Sequence, residues 1–248
     1  MRYFIELAYN GKAYHGWQNQ PGEVSVQEIL EKALFTLLQV NTPVIGAGRT
    51  DAGVHASQFY VHFDAEEITE IDGLIYKLNC VLPSDIAVFD LFKVKQEAHA
   101  RFDAIRRSYE YYIIQQKNPF EFDTAHFVKN ELDLEKMNLA ASFLKDYTDF
   151  KCFSKSKTDV HTYNCSIVSA FWEERENKLI FHITANRFLR NMVRAIVGTL
   201  LEIGLGKIPV DRLHEIIKGR DRKNAGTSVP AKGLFLTKIE YPTTIVTK

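Results

Sequence analysis

Strand patterns alternate with amphipathic helix patterns twice along the chain, and this double round constrains the fold more than any other feature. In the first round, residues 3–9 read as a strand that ends at the turn Asn10-Gly11. Ser25 and Glu28 stand at capping-box spacing, and Val26, Ile29, Leu30, Ala33, Leu34, Leu37 and Leu38 recur at helical intervals. Residues 44–46 form a short strand candidate, 58–64 a longer one, 68–78 a helix and 86–94 a further strand. The second round opens with the Tyr- and Ile-rich strand pattern 106–115. Asp133 caps a helix that runs to Leu144, strands follow at 166–173 and 178–184, and a long helix pattern covers 187–203. A short helix over 210–218 ends at Gly219, and 233–240 is the closing strand. This order predicts an α+β fold, helices packed on mainly antiparallel sheets. A boundary near residues 100–105 separates an N-terminal half, 1–103, from a C-terminal half, 104–248. No Pro- or Gly-rich linker marks it, so the halves are expected to share a sheet or a large interface.

Composition narrows the function classes. The 31 basic and 31 acidic residues sum to zero, which excludes an evenly basic coat but not a segregated basic face. Cys80, Cys152 and Cys165 are odd in number and contain no C-x-x-C pair, against a disulfide framework or a thiolate zinc site. The eight histidines make no H-E-x-x-H or other metal spacing, so no metal and no cofactor are expected. The N-terminus lacks a signal-peptide core, and no apolar run approaches the roughly 20 residues that span a bilayer. A soluble, cytoplasmic protein is the expectation.

Three segments carry candidate chemistry. In Gly46-Ala47-Gly48-Arg49-Thr50-Asp51-Ala52-Gly53-Val54-His55, three glycines permit unusual backbone angles and close approach by a ligand around one Arg, one Asp and one His. Asp51 either faces a substrate or hydrogen-bonds its own turn. The segment lacks the closing Gly-Lys-Ser/Thr of a phosphate-binding loop. Arg101-Phe102-Asp103-Ala104-Ile105-Arg106-Arg107-Ser108-Tyr109-Glu110-Tyr111-Tyr112 interleaves basic and aromatic residues, which suits phosphates and unstacked bases. On a strand, Tyr109 and Tyr111 share one face, Glu110 and Tyr112 the other. The plain alternative is an amphipathic strand with a solvated basic end. In the pattern 187–203, Arg187, Arg190, Asn191 and Arg194 form a narrow polar stripe that Gly198 continues. That stripe is either a solvated edge or a place where Arg194 turns into a cleft and keeps a carboxylate ionised. Lys151, Lys155 and Lys157, and Arg220, Arg222 and Lys223, read as solvated basic loops.

These segments together resemble the TruA family of tRNA pseudouridine synthases, in order and over nearly the whole chain. Tyr14-His15-Gly16-Trp17-Gln18-Asn19-Gln20 is similar to the family's aromatic Gly-Trp-Gln segment. Gly48-Arg49-Thr50-Asp51-Ala52-Gly53-Val54-His55 matches its most specific motif, which makes Asp51 the nucleophile by resemblance. His99-Ala100-Arg101-Phe102 with Arg106-Arg107-Ser108-Tyr109 resembles the second motif, placing Tyr109 on the target base. Phe188–Val193 with Arg194 resembles the third, whose arginine pairs with the nucleophile. Pro230-Ala231-Lys232-Gly233-Leu234 resembles the closing motif. Val229 stands where the family commonly has Ala, and His161 where many members have Arg.

The resemblance implies two α+β halves sharing an extended, mainly antiparallel sheet with a catalytic cleft between them. It also implies a homodimer with tRNA as partner, and uridines 38, 39 and 40 of the anticodon stem-loop as targets. Arg49 is expected to fill the space left by the flipped base or to hold the adjacent phosphate. Two rivals are a non-catalytic RNA-binding module and a nucleoside hydrolase-type glycosidase. The latter calls for a second carboxylate or a metal beside Asp51, for which no motif is present.

Overall fold

The computed structural model describes residues 1–155 and 160–246. Lys157 of the first basic stretch lies outside the described residues. The chain divides into two compact units, Met1–Arg106 with Leu236–Lys248, and Arg107–Phe235. It is α+β, as expected, with five α-helices among the described residues and mainly antiparallel strands.

In the first unit, β1 (Arg2–Tyr9) is the middle strand. It pairs antiparallel with β3 (His55–Asp64) on one side and β4 (Ile86–Val94) on the other. The two-residue β2 (Ile45–Gly46) pairs with the other edge of β3 through Ile45↔His62. Helix α1 (Val26–Leu38) starts where the sequence places it, because Ser25 Oγ accepts from Glu28 N at 3.1 Å. Glu28 does not complete the expected box; its carboxylate takes an i,i+4 ion pair with Lys32 at 2.5 Å. Helix α2 (Ile71–Val81) begins three residues later than its pattern suggests. Phe4, on the middle strand, is buried with Val94, Ala98, Ala100 and Ile245. This packing ties the turn around residue 100 to the sheet.

In the second unit, β5 (Arg106–Ile114) pairs antiparallel with β8 (Lys178–Ala185), and β8 with β7 (Ile167–Arg175). The β7–β8 hairpin turns at Glu176 and Asn177, both at positive φ, the geometry of a tight two-residue turn. The short β6 (His126–Phe127) is parallel to β5. Helix α3 (Leu134–Phe143) is capped by Asp133, which accepts from Lys136 N at 3.0 Å. Helix α4 (Met192–Gly204) is almost wholly buried. It is shorter than its sequence pattern: Asn191 turns left-handed at φ 65, so Arg187 and Arg190 precede the helix and the expected arginine stripe does not form. Helix α5 (Arg212–Gly219) also differs at its end, where Arg220, not Gly219, takes the left-handed cap at φ 55. Strand β9 (Leu234–Glu240) begins in the last residues of this unit and continues into the first.

Candidate active site

Asp51 lies half-buried on the loop between β2 and β3. The residue before it fastens that loop. Thr50 Oγ1 accepts from Trp17 N at 3.0 Å and hydrogen-bonds the Tyr9 hydroxyl, also at 3.0 Å. Gly53 N donates to Tyr14 O at 3.2 Å, and Val54 N closes a turn on Asp51 O at 3.1 Å. At the far end, buried His55 accepts from Gly11 N through Nδ1 at 3.1 Å. The backbone at Gly16 passes so close that a Cβ there would stand 2.2 Å from Thr50 O, and its φ is +89. Both facts require glycine at that point. Of the glycines inside the loop itself, only Gly53 is at positive φ. Segment 9–17 thus forms a cradle under Asp51. Tyr14 is held in turn by its hydroxyl bond to Asp85 at 2.6 Å, and burial with that carboxylate raises its pKa. Asp51 accordingly sits in a cross-braced loop, which goes beyond the simple self-bonded turn. Arg49, two residues earlier, is exposed.

In the second unit, Tyr109 is half-buried on β5, opposite Ile183 of β8. Its ring meets Phe188 edge-on, with centroids 5.1 Å apart. The expected alternation holds, since Tyr111 is fully buried while Glu110 and Tyr112 are only partly so. Glu110 accepts from the Tyr112 hydroxyl at 2.5 Å and lies 3.4 Å from His182 Nδ1. The His182 hydrogen bond holds the Glu110 carboxyl below the usual range, and Glu110 raises the imidazole pKa in return.

Arg194 sits in the first turn of α4, half-buried. Its Nε donates to Val229 O at 2.7 Å, while Val229 N donates to Arg194 O at 3.2 Å. The segment 225–230 runs along this side of the helix. A Cβ on Gly198 would stand 1.9 Å from Thr227 O, and Gly226 N donates to Thr199 Oγ1 at 2.9 Å. Asn191 and Arg222 both reach Ser228 Oγ, at 2.6 and 2.9 Å. Arg222 also donates to the Ala225 and Gly226 carbonyls. It is therefore a structural clamp, not the solvated loop residue its sequence suggests. Arg220 pairs with Asp149 at 2.6 Å. Buried Cys152 and Cys165 have thiol pKa values pushed up by burial, to about 12 and 11, so they stay protonated.

Among the described residues, no three His, Cys, Asp or Glu are grouped to hold a metal ion, and no helix is long and apolar enough to cross a membrane.

Comparison with known proteins decides the family. A tRNA pseudouridine synthase A of Bacteroides fragilis is 55% identical over 243 residues, covering 97% of this chain and 96% of the relative. This chain belongs to the tRNA pseudouridine synthase A family. A second relative of that name, from Parabacteroides distasonis, is 51% identical over 97% of this chain and 96% of its own length. One from Syntrophomonas wolfei is 41% identical over 95% and 96%. The family profile described as tRNA pseudouridine synthase matches residues 147–242. The protein is therefore an isomerase of the pseudouridine synthase type.

Within each unit, the candidate residues lie as follows. Asp51 and Arg49 share one loop, and Tyr109 packs on Phe188, which leads into the helix of Arg194. Sequence reasoning missed Thr50, Tyr9 and Val229 as supports. For Thr50 the signal was present: a hydroxyl beside the acidic residue. For Val229 there was none, because only its backbone acts.

Proposed function

We propose that this synthase converts uridine to pseudouridine in tRNA at positions 38, 39 and 40 of the anticodon stem-loop, with Asp51 as nucleophile and without a cofactor. The observation that carries the reading is the cross-braced Asp51 loop, in which Thr50, Gly16 and Tyr14 fix the backbone on both sides of the carboxylate.

The reaction breaks the bond between the sugar C1′ and N1 of uracil and makes one from C1′ to C5. The C5 proton moves to solvent and N1 gains one, so atoms and electrons balance without redox. One carboxylate suffices because departing uracil spreads negative charge over its carbonyls. Asp51 starts the sequence by attack on C1′, by attack on C6, or by removal of a sugar proton. Arg194 pairs with the carboxylate and keeps it ionised and aimed. The target base leaves its stack to reach Asp51. Tyr109 packs on the flipped uracil and assists loss of the C5 proton, while Arg49 fills the vacated space or holds the neighbouring phosphate. In this reading the N-terminal half, 1–103, brings the Asp loop. The C-terminal half, 104–248, brings the Tyr strand and the Arg helix. The working form is a cytoplasmic homodimer.

Tritium release from tRNA carrying C5-tritiated uridine tests this. Release by wild type and none by Asp51→Asn, with both binding tRNA, supports the assignment. Binding without release by wild type would leave a non-catalytic RNA-binding module. Turnover of free nucleosides would point to the glycosidase rival.

A further inference from the structure

The turn 99–103 spends its polar groups inward and its aromatic group outward. Ala100 is fully buried: its N–H donates to His62 Nδ1 at 3.1 Å and its carbonyl accepts from the Tyr241 hydroxyl at 2.5 Å. Arg2 Nη1 donates to Ala98 O at 3.0 Å. His99 N donates to Asp103 Oδ2 at 2.7 Å, and Asp103 N returns to His99 O at 3.1 Å. His99 Nδ1 then accepts both tip amides, Arg101 N at 3.1 Å and Phe102 N at 3.3 Å. A turn braced at this many points has little freedom left to lose on binding.

At its tip, Phe102 is 74% exposed. The His99 ring supports it from below at 4.3 Å between centroids, and the Arg101 guanidinium lies 5.6 Å from the ring centre. Ile105 and Arg106 beside it are exposed as well. A lone exposed phenylalanine needs no explanation. One held out by a rigid turn, with a guanidinium against its ring and a second arginine close by in sequence, has the parts of a platform for an unpaired base.

We propose that Arg101 and Phe102 form a stacking site for an unpaired nucleotide of the RNA substrate, outside the Asp51 loop. Phe102 takes the base and Arg101 the flanking phosphate. This rests on the RNA-substrate reading above. It adds a contact that fixes the substrate by an unstacked base, which a paired A-form helix does not present.

The test compares Phe102→Ala, Phe102→Leu and Phe102→Tyr for tRNA affinity by fluorescence anisotropy, at fixed salt. Because the ring is exposed, all three are expected to keep the wild-type urea midpoint. Stacking predicts that Ala and Leu weaken binding about 5-fold or more while Tyr stays near wild type. Wild-type affinity for Phe102→Ala overturns the site. So does full affinity for Phe102→Leu, which would make the contact merely apolar. A concentration-dependent mass that Phe102→Ala abolishes without RNA would reassign the tip to contact between copies. Tritium release by wild type in the same preparation separates these failures from failure of the synthase reading itself.

Discussion

Arg194 and Val229 hold each other through both of Val229's backbone polar groups. Its carbonyl takes the Arg194 Nε–H at 2.7 Å, and its N–H returns to the Arg194 carbonyl at 3.2 Å. The side chain at position 229 plays no part in this. A change of side chain at 229 that leaves its backbone in place therefore leaves both bonds to Arg194 intact. A lysine has no planar fork with which to satisfy Val229 O and still present charge in a fixed direction. Arg194→Lys is expected to lower kcat roughly 100-fold, the scale of an ångström-sized misplacement. Single-turnover tritium release at saturating tRNA measures this, and activity near wild type would show that only the charge matters.

The same segment is exposed to a change on the helix. A methyl group on Gly198 would stand 1.9 Å from Thr227 O, against backbone that cannot rotate away. Gly198→Ala should therefore lower stability by about 1–3 kcal/mol, as overpacking does. Because the segment it displaces also holds Arg194 and Ser228, kcat should fall with it. Urea unfolding and turnover of one preparation give both numbers, and unchanged stability would mean the segment moves without cost.

Thr50 supports Asp51 through a single oxygen with two partners. Thr50→Val keeps the shape and removes both bonds, leaving Trp17 N without its acceptor. The cost should be about 1–3 kcal/mol of stability. On the proposed role of Asp51, a loop freed at the residue before it should lose kcat and retain KM. Thr50→Ser restores the oxygen and should restore most of the rate. If Ser fails where the hydroxyl is back in place, the threonine methyl group does the positioning.

Much of this was legible in the residues, for identifiable reasons. Strands β1, β4 and β5 and helices α1 and α3 carry strong local signals: alternation, Ser25 and Asp133 caps, helical spacing. The start of α4 was not legible, because Phe188 and Leu189 continue its apolar spacing although the helix begins only after the left-handed Asn191. Periodicity is blind to a single backbone angle. Asp51 stood out as a carboxylate among glycines. Its supports did not, since Tyr9 and Trp17 reach Thr50 across 41 and 33 residues of chain. Arg222 reads as surface charge because its partners, the carbonyls of Ala225 and Gly226, are backbone groups that carry no sequence signal.

His62 makes the first unit sensitive to acid. It is buried at 3% exposure, its Nδ1 accepts the Ala100 N–H, and His99 lies against it with ring centroids 4.6 Å apart. Burial first, then the neighbouring His99 and Arg2, push its pKa down to about 4. An unfolded chain takes the proton near 6.5. Between these values the unfolded state binds more protons than the native one, so stability rises with pH through that window. The contribution is complete above about pH 6.5, falls as pH drops, and is exhausted near pH 4, for a total of about 3 kcal/mol. Between pH 7 and 5 the wild type should lose about 2 kcal/mol that His62→Asn, which keeps an acceptor and cannot titrate, does not lose. Parallel urea midpoints for the two proteins would show it, and equal losses would place the acid sensitivity elsewhere. The proton that enters displaces the Ala100 N–H from its acceptor. The turn carrying Arg101 and Phe102 should accordingly loosen before the sheet beneath it, with tip amides gaining hydrogen exchange at pH 5 ahead of those in β1 once rates are corrected for pH.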